Sequence, residues 1–385
     1  MNYILYDDPL TRENLLPLTF TRPIATLRVG ILTLAEKWMH HLGTSVSYHT
    51  ASYLQEKFPL VTAEDNVYIN ATVCPTSSLT KAVKALQQGQ ALYQGEQLLA
   101  YRHKEASPQH LTVVSTTTPY RIVRHLYDIF TYNGEEIAAD FMLLTAGRES
   151  QPITDLHTIV YHPEKVFIEE GASIKACVLN AANGYIYIGK NAQVQEMSVL
   201  QGNFALCEGA VVNIGGKMRS NTTIGPYCKV GGEINNCVLT GYSNKAHDGF
   251  LGNAVIGEWC NLGADTNCSN LKNNYSNVRL WNYPTKTFMD TGKQFCGLMM
   301  GDHSKTGINT MFNTGTVVGV CSNVVGGSFP PKFVPSFSWH KGDALEVYQL
   351  AKAFVTAEKV MQRRKKTFTA VDQQILQYIY ELDHP

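Results

Sequence analysis

The sequence predicts a mixed α/β domain at the N-terminus, followed by a left-handed parallel β-helix of hexapeptide repeats with C-terminal helices. Three observations carry this. An aliphatic residue returns at every sixth position through the second half, as in Ile188, Val194, Leu200, Leu206 and Val212. Glycine repeatedly follows that residue, in Ile188-Gly189, Ile224-Gly225, Val230-Gly231, Ile256-Gly257, Leu262-Gly263 and Val318-Gly319. Residues before about 150 lack that period and alternate short strand-like and helix-like runs. A period of six belongs neither to an α-helix nor to a two-sided strand. It fits a triangular prism in which each hexad makes one flat face and points its apolar residue inward. Three hexads close a coil, and coils stack at the strand spacing of ~4.8 Å. Glycine permits the sharp corner. A β-sandwich would instead show a period of two with irregular turns.

Taken in order, Tyr3-Ile4-Leu5-Tyr6 reads as a strand, Leu27 to His41 as a helix, and Val46-Ser47-Tyr48-His49 and Val67-Tyr68-Ile69 as further strands. Ser77 to Gln88 reads as a helix capped by Ser77 or Ser78. The domains are expected at 1–152, 153–328 and 329–385. In the β-helix the inward residues run through Ile224 and Val230, then Phe250, Ile256, Leu262 and Cys268, then Met300, Thr306, Phe312, Val318 and Val324. Two breaks interrupt it, Gly241 to Gly249 and the polar stretch Leu271 to Leu298. Loops that break a solenoid carry its function more often than its coils do. Beyond 328 an extended arm, Phe329 to Pro335, leads to amphipathic helices over Ala344–Lys365 and Ala370–Leu382, which cover the open end or a neighbour. The run Arg363-Arg364-Lys365-Lys366 reads as a solvated helix end suited to the helix dipole.

The formal net charge of the 385 residues is zero. That argues against nucleic acid or an anionic membrane as the main partner. No run of ~18 apolar residues could span a bilayer, and the first residues lack the basic region of a signal peptide. The nine cysteines contain no C-x-x-C pair. A reducing, cytoplasmic location without structural zinc or disulfides is expected.

The first break, Gly241-Tyr242-Ser243-Asn244-Lys245-Ala246-His247-Asp248-Gly249-Phe250, concentrates chemistry. Histidine titrates near neutrality and can accept a proton from an attacking amine. Lysine and arginine can hold a phosphate. Backbone N–H groups or an asparagine amide can stabilise the oxyanion when a thioester is attacked.

The pattern resembles the acetyltransferase domain of the bifunctional bacterial enzymes that make UDP-N-acetylglucosamine. The residues that carry the resemblance are Lys245, His247, Phe250-Leu251-Gly252, Ile256-Gly257, Asn261-Leu262-Gly263-Ala264-Asp265-Thr266 and Asn270, with Arg219 upstream. It spans roughly residues 210 to 325. It implies His247 as general base toward the sugar 2-amino group, and Asn270 and Phe250 at the substrate. It implies Arg219 and Lys245 on the sugar phosphate. It also implies acetyl-CoA as donor and trimers with sites between adjacent prisms. Lys272, Tyr283 and Lys286 in the long break become a wall for a neighbour's site or for coenzyme A. Three departures stand out: Phe250 replaces the usual tyrosine, Asn235-Asn236-Cys237 stands where a second lysine is expected, and Asp248-Gly249 is an unusual filling. They leave the acceptor sugar open.

At the N-terminus, Pro17-Leu18-Thr19 with Arg22-Pro23 and Leu27-Arg28-Val29-Gly30 resembles the second half of the sugar-nucleotidyltransferase signature. The glycine-rich phosphate loop of that signature is replaced by Tyr6-Asp7-Asp8-Pro9-Leu10-Thr11-Arg12. The resemblance implies a variant two-domain diphosphorylase/acetyltransferase family whose N-terminal α/β domain is reduced and nucleotidyltransferase-like. If the N-terminal site is active, Arg22, Arg28 and Lys37 bind phosphates and Asp7 or Asp8 binds Mg²⁺. Two other readings stay open: a nucleotidyltransferase whose β-helix only assembles the oligomer, and an inactive binding scaffold.

Overall fold

The computed structural model describes residues 1–342 and 344–383. The N-terminal domain is built on a six-stranded sheet. Asn2–Tyr6 runs parallel to Ser47–His49 on one side and to Asn66–Asn70 on the other. Gln97–Arg102 continues the sheet antiparallel to both Asn66–Asn70 and Gln90–Gln94, and Thr112–Ser115 forms the far edge. Four helices accompany it: α1 (Pro9–Asn14), α2 (Leu34–Leu42), α3 (Ser77–Ala85) and α4 (Leu126–Thr145). The expected helix from Leu27 begins only at Leu34. Gly30 at φ 90° turns the chain there, and Thr33 and Glu36 close a reciprocal cap. Thr76, not Ser77 or Ser78, caps α3. The longest helix, α4, has no counterpart in the sequence reading. Its inward face carries Asp128, Asn133, Glu136 and Asp140, which blunts the apolar periodicity.

From Ile159 the chain winds into three parallel faces. The first face has eight strands, from Ile159–Tyr161 to Met311–Phe312, and the second has nine, from Val166–Ile168 to Phe333–Val334. The third face starts with five, Ser173–Ile174 to Asn244–Lys245. Bridges through Asn261 carry it on to Lys305. The hexad residues stack in register: Ile188 on Leu206 on Ile224, and Val194 on Val212 on Val230. All are buried, as are Met300, Phe312, Val318 and Val324. One inward assignment fails. Lys245 pairs with Val230 and takes the core position, so Leu251 points inward and Phe250 outward.

The end of the prism also differs from expectation. Phe333–Val334 and Ser338–Lys341 add strands to the second and third faces instead of leaving an extended arm. Ala344–Val347 then turns back as an antiparallel strand over the open edge, where a helix was expected. Helix α5 follows at Leu350–Gln362, and α6 at Ala370–Asp383.

Each unit packs on a particular part of the prism. Helix α4 lies on the second face, where Asn133 Nδ2 donates to the Asn221 carbonyl at 2.8 Å and to Thr223 Oγ1 at 3.0 Å. Val238, Val255, Met299 and Val317 on that face join the apolar core of the N-terminal domain. Helices α5 and α6 cover the corner between the second and third faces. There Tyr227, Tyr242, Trp259 and His303 stack rung upon rung, each at positive φ. On the first face Ile159, Tyr161 and Met311 remain exposed. The Leu271–Leu298 break is a hairpin, Arg279–Asn282 against Thr287–Asp290, folded back on the N-terminal domain. Asn282 Nδ2 donates to Asn14 Oδ1 at 2.9 Å, and Tyr283 packs edge-on to Phe20 at 5.5 Å.

Candidate active site

His247 sits on the corner where the chain passes from Asn244–Lys245 on the third face to Phe250–Gly252 on the first. Its side chain is exposed, and the backbone around it is held from three directions. Asn213 Nδ2 donates to the Ala246 carbonyl at 2.8 Å. Lys245 Nζ donates to the carbonyls of His247 and Asp248, each at 2.6 Å. The Asp265 N–H donates to the Asp248 carbonyl at 3.1 Å. The imidazole is therefore presented on a braced loop whose own bonds do not involve it.

This corrects the role expected for Lys245. It is fully buried, and its ammonium is engaged by backbone, so it shapes the loop and does not meet a phosphate. Burial pulls its pKa down from 10.5 to about 8, with Asp248 and Asp265 opposing that drop. The sign of the resulting linkage is definite. Below pH 8 the ammonium is protonated both folded and unfolded, and its desolvation weakens the fold. As pH rises from about 8 to 10.5 the unfolded chain holds the proton longer, so stability rises. The unfolding free energy of wild type relative to Lys245→Met is expected to be flat below pH 8 and to climb in favour of wild type above it. Chemical unfolding across that range checks this, and a falling difference overturns it.

Two cavities flank His247. One, of about 590 Å³, lies along the third face. Its charged lining, besides His247, is entirely basic: Lys229, Lys305, Arg363 and Arg364, with no carboxylate among the lining residues. Arg364 is fixed by donation to Asn244 Oδ1 at 2.8 Å, and Lys366 lies over the Tyr242 ring at 5.9 Å. Lys305 donates to the His303 carbonyl at 2.7 Å, and burial lowers its pKa. The other cavity, of about 550 Å³, lies around the corner and carries Asp248 and Asp265. Sequence reasoning missed the four cations. The Arg363-Arg364 run read as a solvated helix end, because only the packing of α5 brings it over the prism. Lys229 and Lys305 lie on separate rungs, with no motif to link them.

The other expected residues lie elsewhere. Arg219 is exposed at the opposite edge of the first face and pairs with Glu233 at 3.2 Å. Asn270 is at that same edge, donating to Asn253 Oδ1 at 2.8 Å, and Phe250 stands between the two edges beside Gly252. Lys272 Nζ donates to the Asn277 carbonyl at 2.5 Å within the long break, and Lys286 is at its hairpin turn. Neither Arg219, Asn270 nor Lys272 lines either of these two cavities.

The N-terminal set is corrected more strongly. Lys37 is buried and pairs with Glu136 at 2.8 Å and with Asp140. Arg22 is held by Glu258 at 2.9 Å and by Asp302, both on the prism. Arg28 donates to the Ile31 carbonyl and lies 3.7 Å from Glu36. These cations complete internal networks and are not presented to a nucleotide. Asp7 accepts from Arg12 at 2.9 Å, from Thr50 Oγ1 at 2.5 Å and from the Ile24 N–H at 3.0 Å. Asp8 caps α1 by accepting from the Thr11 N–H at 2.9 Å. Among the described residues no group of three or more His, Cys, Asp or Glu could hold a metal ion. The Mg²⁺ site expected at Asp7 and Asp8 does not fit their surroundings.

Comparison with known proteins follows the same division of the chain. The family described as sugar nucleotidyl transferase matches residues 3–149. The bifunctional protein GlmU of Trichodesmium erythraeum is 29% identical over 150 residues, 38% of this chain and 27% of that protein. GlmU of Bartonella quintana is 26% identical over 196 residues, 49% of this chain and 39% of that protein. The chain thus spans well under half the length of these relatives. Among solved structures, UDP-N-acetylglucosamine O-acyltransferase of Moraxella catarrhalis aligns over 60% of this chain and 97% of its own, at 11% identity and a TM-score of 0.27. A score that low adds nothing to the prism seen directly in the strand pairing. No helix of the described residues is long and apolar enough to cross a membrane. The chain thus joins a region that matches the sugar nucleotidyl transferase family to a parallel β-helix of hexapeptide repeats.

Proposed function

We propose that this chain transfers an acetyl group from acetyl-CoA to the amine of an amino-sugar phosphate, with glucosamine 1-phosphate the first acceptor to try. The observation that carries the reading is the basic cavity opening onto His247. Both reactants in such a transfer carry phosphate. Lys229, Lys305, Arg363 and Arg364 supply positive charge without a competing carboxylate. The acceptor nitrogen attacks the thioester carbonyl, its proton passes to the His247 imidazole, and the C–S bond breaks to expel the CoA thiolate, which takes that proton and leaves as the thiol. No covalent intermediate on the protein is required. The likeness to GlmU supports the reading.

A trimer in the cytoplasm completes the proposal. Arg219, Asn270 and Phe250 lie on the first face, away from the His247 cavities, and that face leaves Ile159, Tyr161 and Met311 exposed. A neighbouring prism seated there would bring one chain's Arg219 edge toward another's His247 corner. A second reading, nucleotidyl transfer in the N-terminal domain, is favoured by the family match over residues 3–149. It needs phosphate ligands other than Arg22, Arg28 and Lys37.

Thiol release from acetyl-CoA with glucosamine 1-phosphate tests the first reading, and pyrophosphate release with UTP and a sugar 1-phosphate tests the second. Under the first, the double variant Arg363→Ala/Arg364→Ala raises the acetyl-CoA KM by about 10-fold or more and changes kcat little, because it removes binding charge and not the base. An unchanged KM removes the C-terminal arginines from the site.

A further inference from the structure

A separate cavity of about 440 Å³ lies where all three units meet. The N-terminal domain contributes Arg22, Arg28 and Glu36, and the prism contributes Glu258, Asp302 and His303. Helices α5 and α6 and the turn between them close it with Met361, Phe368 and Asp372. We propose that this junction cavity binds a sugar or amino sugar that carries no phosphate.

The charge balance excludes a phosphate. Arg22 is neutralised by Glu258 and Asp302, and Lys57 by Asp372 at 2.7 Å. Arg28 is engaged by the Ile31 carbonyl and by Glu36. Four carboxylates face three cations, the reverse of the basic cavity beside His247. Carboxylates accept hydrogen bonds and donate none. Glu36 and Glu258 keep 41% and 27% of their side-chain surface open, so they can receive O–H or N–H donors. A ring bearing several hydroxyls offers such donors on its rim.

The rest of the lining suits the face of that ring. Met39, Tyr48, Phe58 and Phe368 present thioether and aromatic surface to the same space. His303 lines it too, and its Nδ1 is buried with no hydrogen-bond partner among the described residues. Burial holds that imidazole neutral, its pKa drawn down to about 3. A mixed apolar and polar lining in this volume range is typical of small-molecule pockets.

Occupancy also reaches the acyl-transfer site. Trp259 is a wall of both cavities, and α5 places Met361 in one and Val360 in the other. A ligand bridging three units stabilises their packed arrangement by mass action.

The test is thermal unfolding and tryptophan fluorescence of the full chain with glucosamine and with N-acetylglucosamine. At saturation at least one raises the melting temperature by about 2–5 °C. Met39→Trp, which fills the cavity from α2, abolishes the shift, whereas His247→Ala keeps it. Should Met39→Trp fail to fold, His303→Phe keeps the ring against Trp259 but takes the polar imidazole out of the lining, and weakens binding by about 10-fold. No shift with either sugar overturns the proposal. So does a shift that survives Met39→Trp and His303→Phe, or one lost in His247→Ala, which places the sugar in the catalytic cavity. A shift produced by UTP and lost in Met39→Trp makes the cavity a nucleotide site and overturns it as well.

Discussion

His247→Ala is expected to lower acetyl-CoA-dependent thiol release by about 10²-fold or more, the scale of losing a general base. It should leave the melting temperature almost unchanged. The two expectations come from one geometry. Asn213, Lys245 and the Asp265 N–H hold the loop through its carbonyls, and the imidazole takes part in none of those bonds. An exposed side chain of that kind costs within about 0.5 kcal/mol when truncated. Steady-state rates and a melting curve on the same preparation check the pair. A large fall in rate with an intact fold supports His247 as the base. Thiol release that survives the substitution keeps the acetyltransferase reading but requires another base. Wild-type protein that releases no thiol with any amino-sugar acceptor sinks the reading itself.

Lys37→Met should destabilise the N-terminal domain by about 3–5 kcal/mol, the penalty for leaving buried charge without its partner. Lys37 is 2% exposed and lies between Glu136 and Asp140 of α4. Methionine preserves most of the volume, so the loss is electrostatic. Asp140 does further work in the same place, accepting from the N–H groups of Ile31 at 2.8 Å and Leu32 at 3.0 Å. Burial already raises the Asp140 pKa, and Lys37 is the strongest influence opposing that rise. The midpoint of urea unfolding measures the effect. Adding Asp140→Asn should recover much of the loss, because the uncompensated charge then disappears while Glu136 keeps Arg121 at 3.0 Å. A single variant with a wild-type midpoint would mean that the triad is hydrated, not buried.

The prism was legible because its rule is local. Each hexad needs one apolar residue facing inward, and Ile188, Leu206 and Ile224 obey it on successive rungs. The rule misled at Phe250, because a lysine can occupy an inward position when carbonyls receive its ammonium. Helix α4 was hidden for a related reason. Its buried face is made of polar groups satisfied by partners distant in sequence, such as Asn221 and Thr223 for Asn133. Among the site residues, His247 stood out because it interrupts a regular pattern. Arg363 and Arg364 did not, since nothing in a run of basic residues says what the helix beside it will pack against. Arg22, Arg28 and Lys37 misled in the opposite direction. Cations near a phosphate-binding signature look available until carboxylates from other parts of the chain are seen to hold them.

The position of α5 has a consequence for how the molecule is made. Synthesis runs from the N-terminus, and Lys229, His247 and Lys305 emerge well before Arg363 and Arg364. A nascent chain can wind most of its coils while half of the basic wall beside His247 is still inside the ribosome. The full set of four cations is therefore among the last features the polypeptide completes, and a chain truncated ahead of α5 would lack half of that wall and expose the apolar corner that α5 and α6 cover.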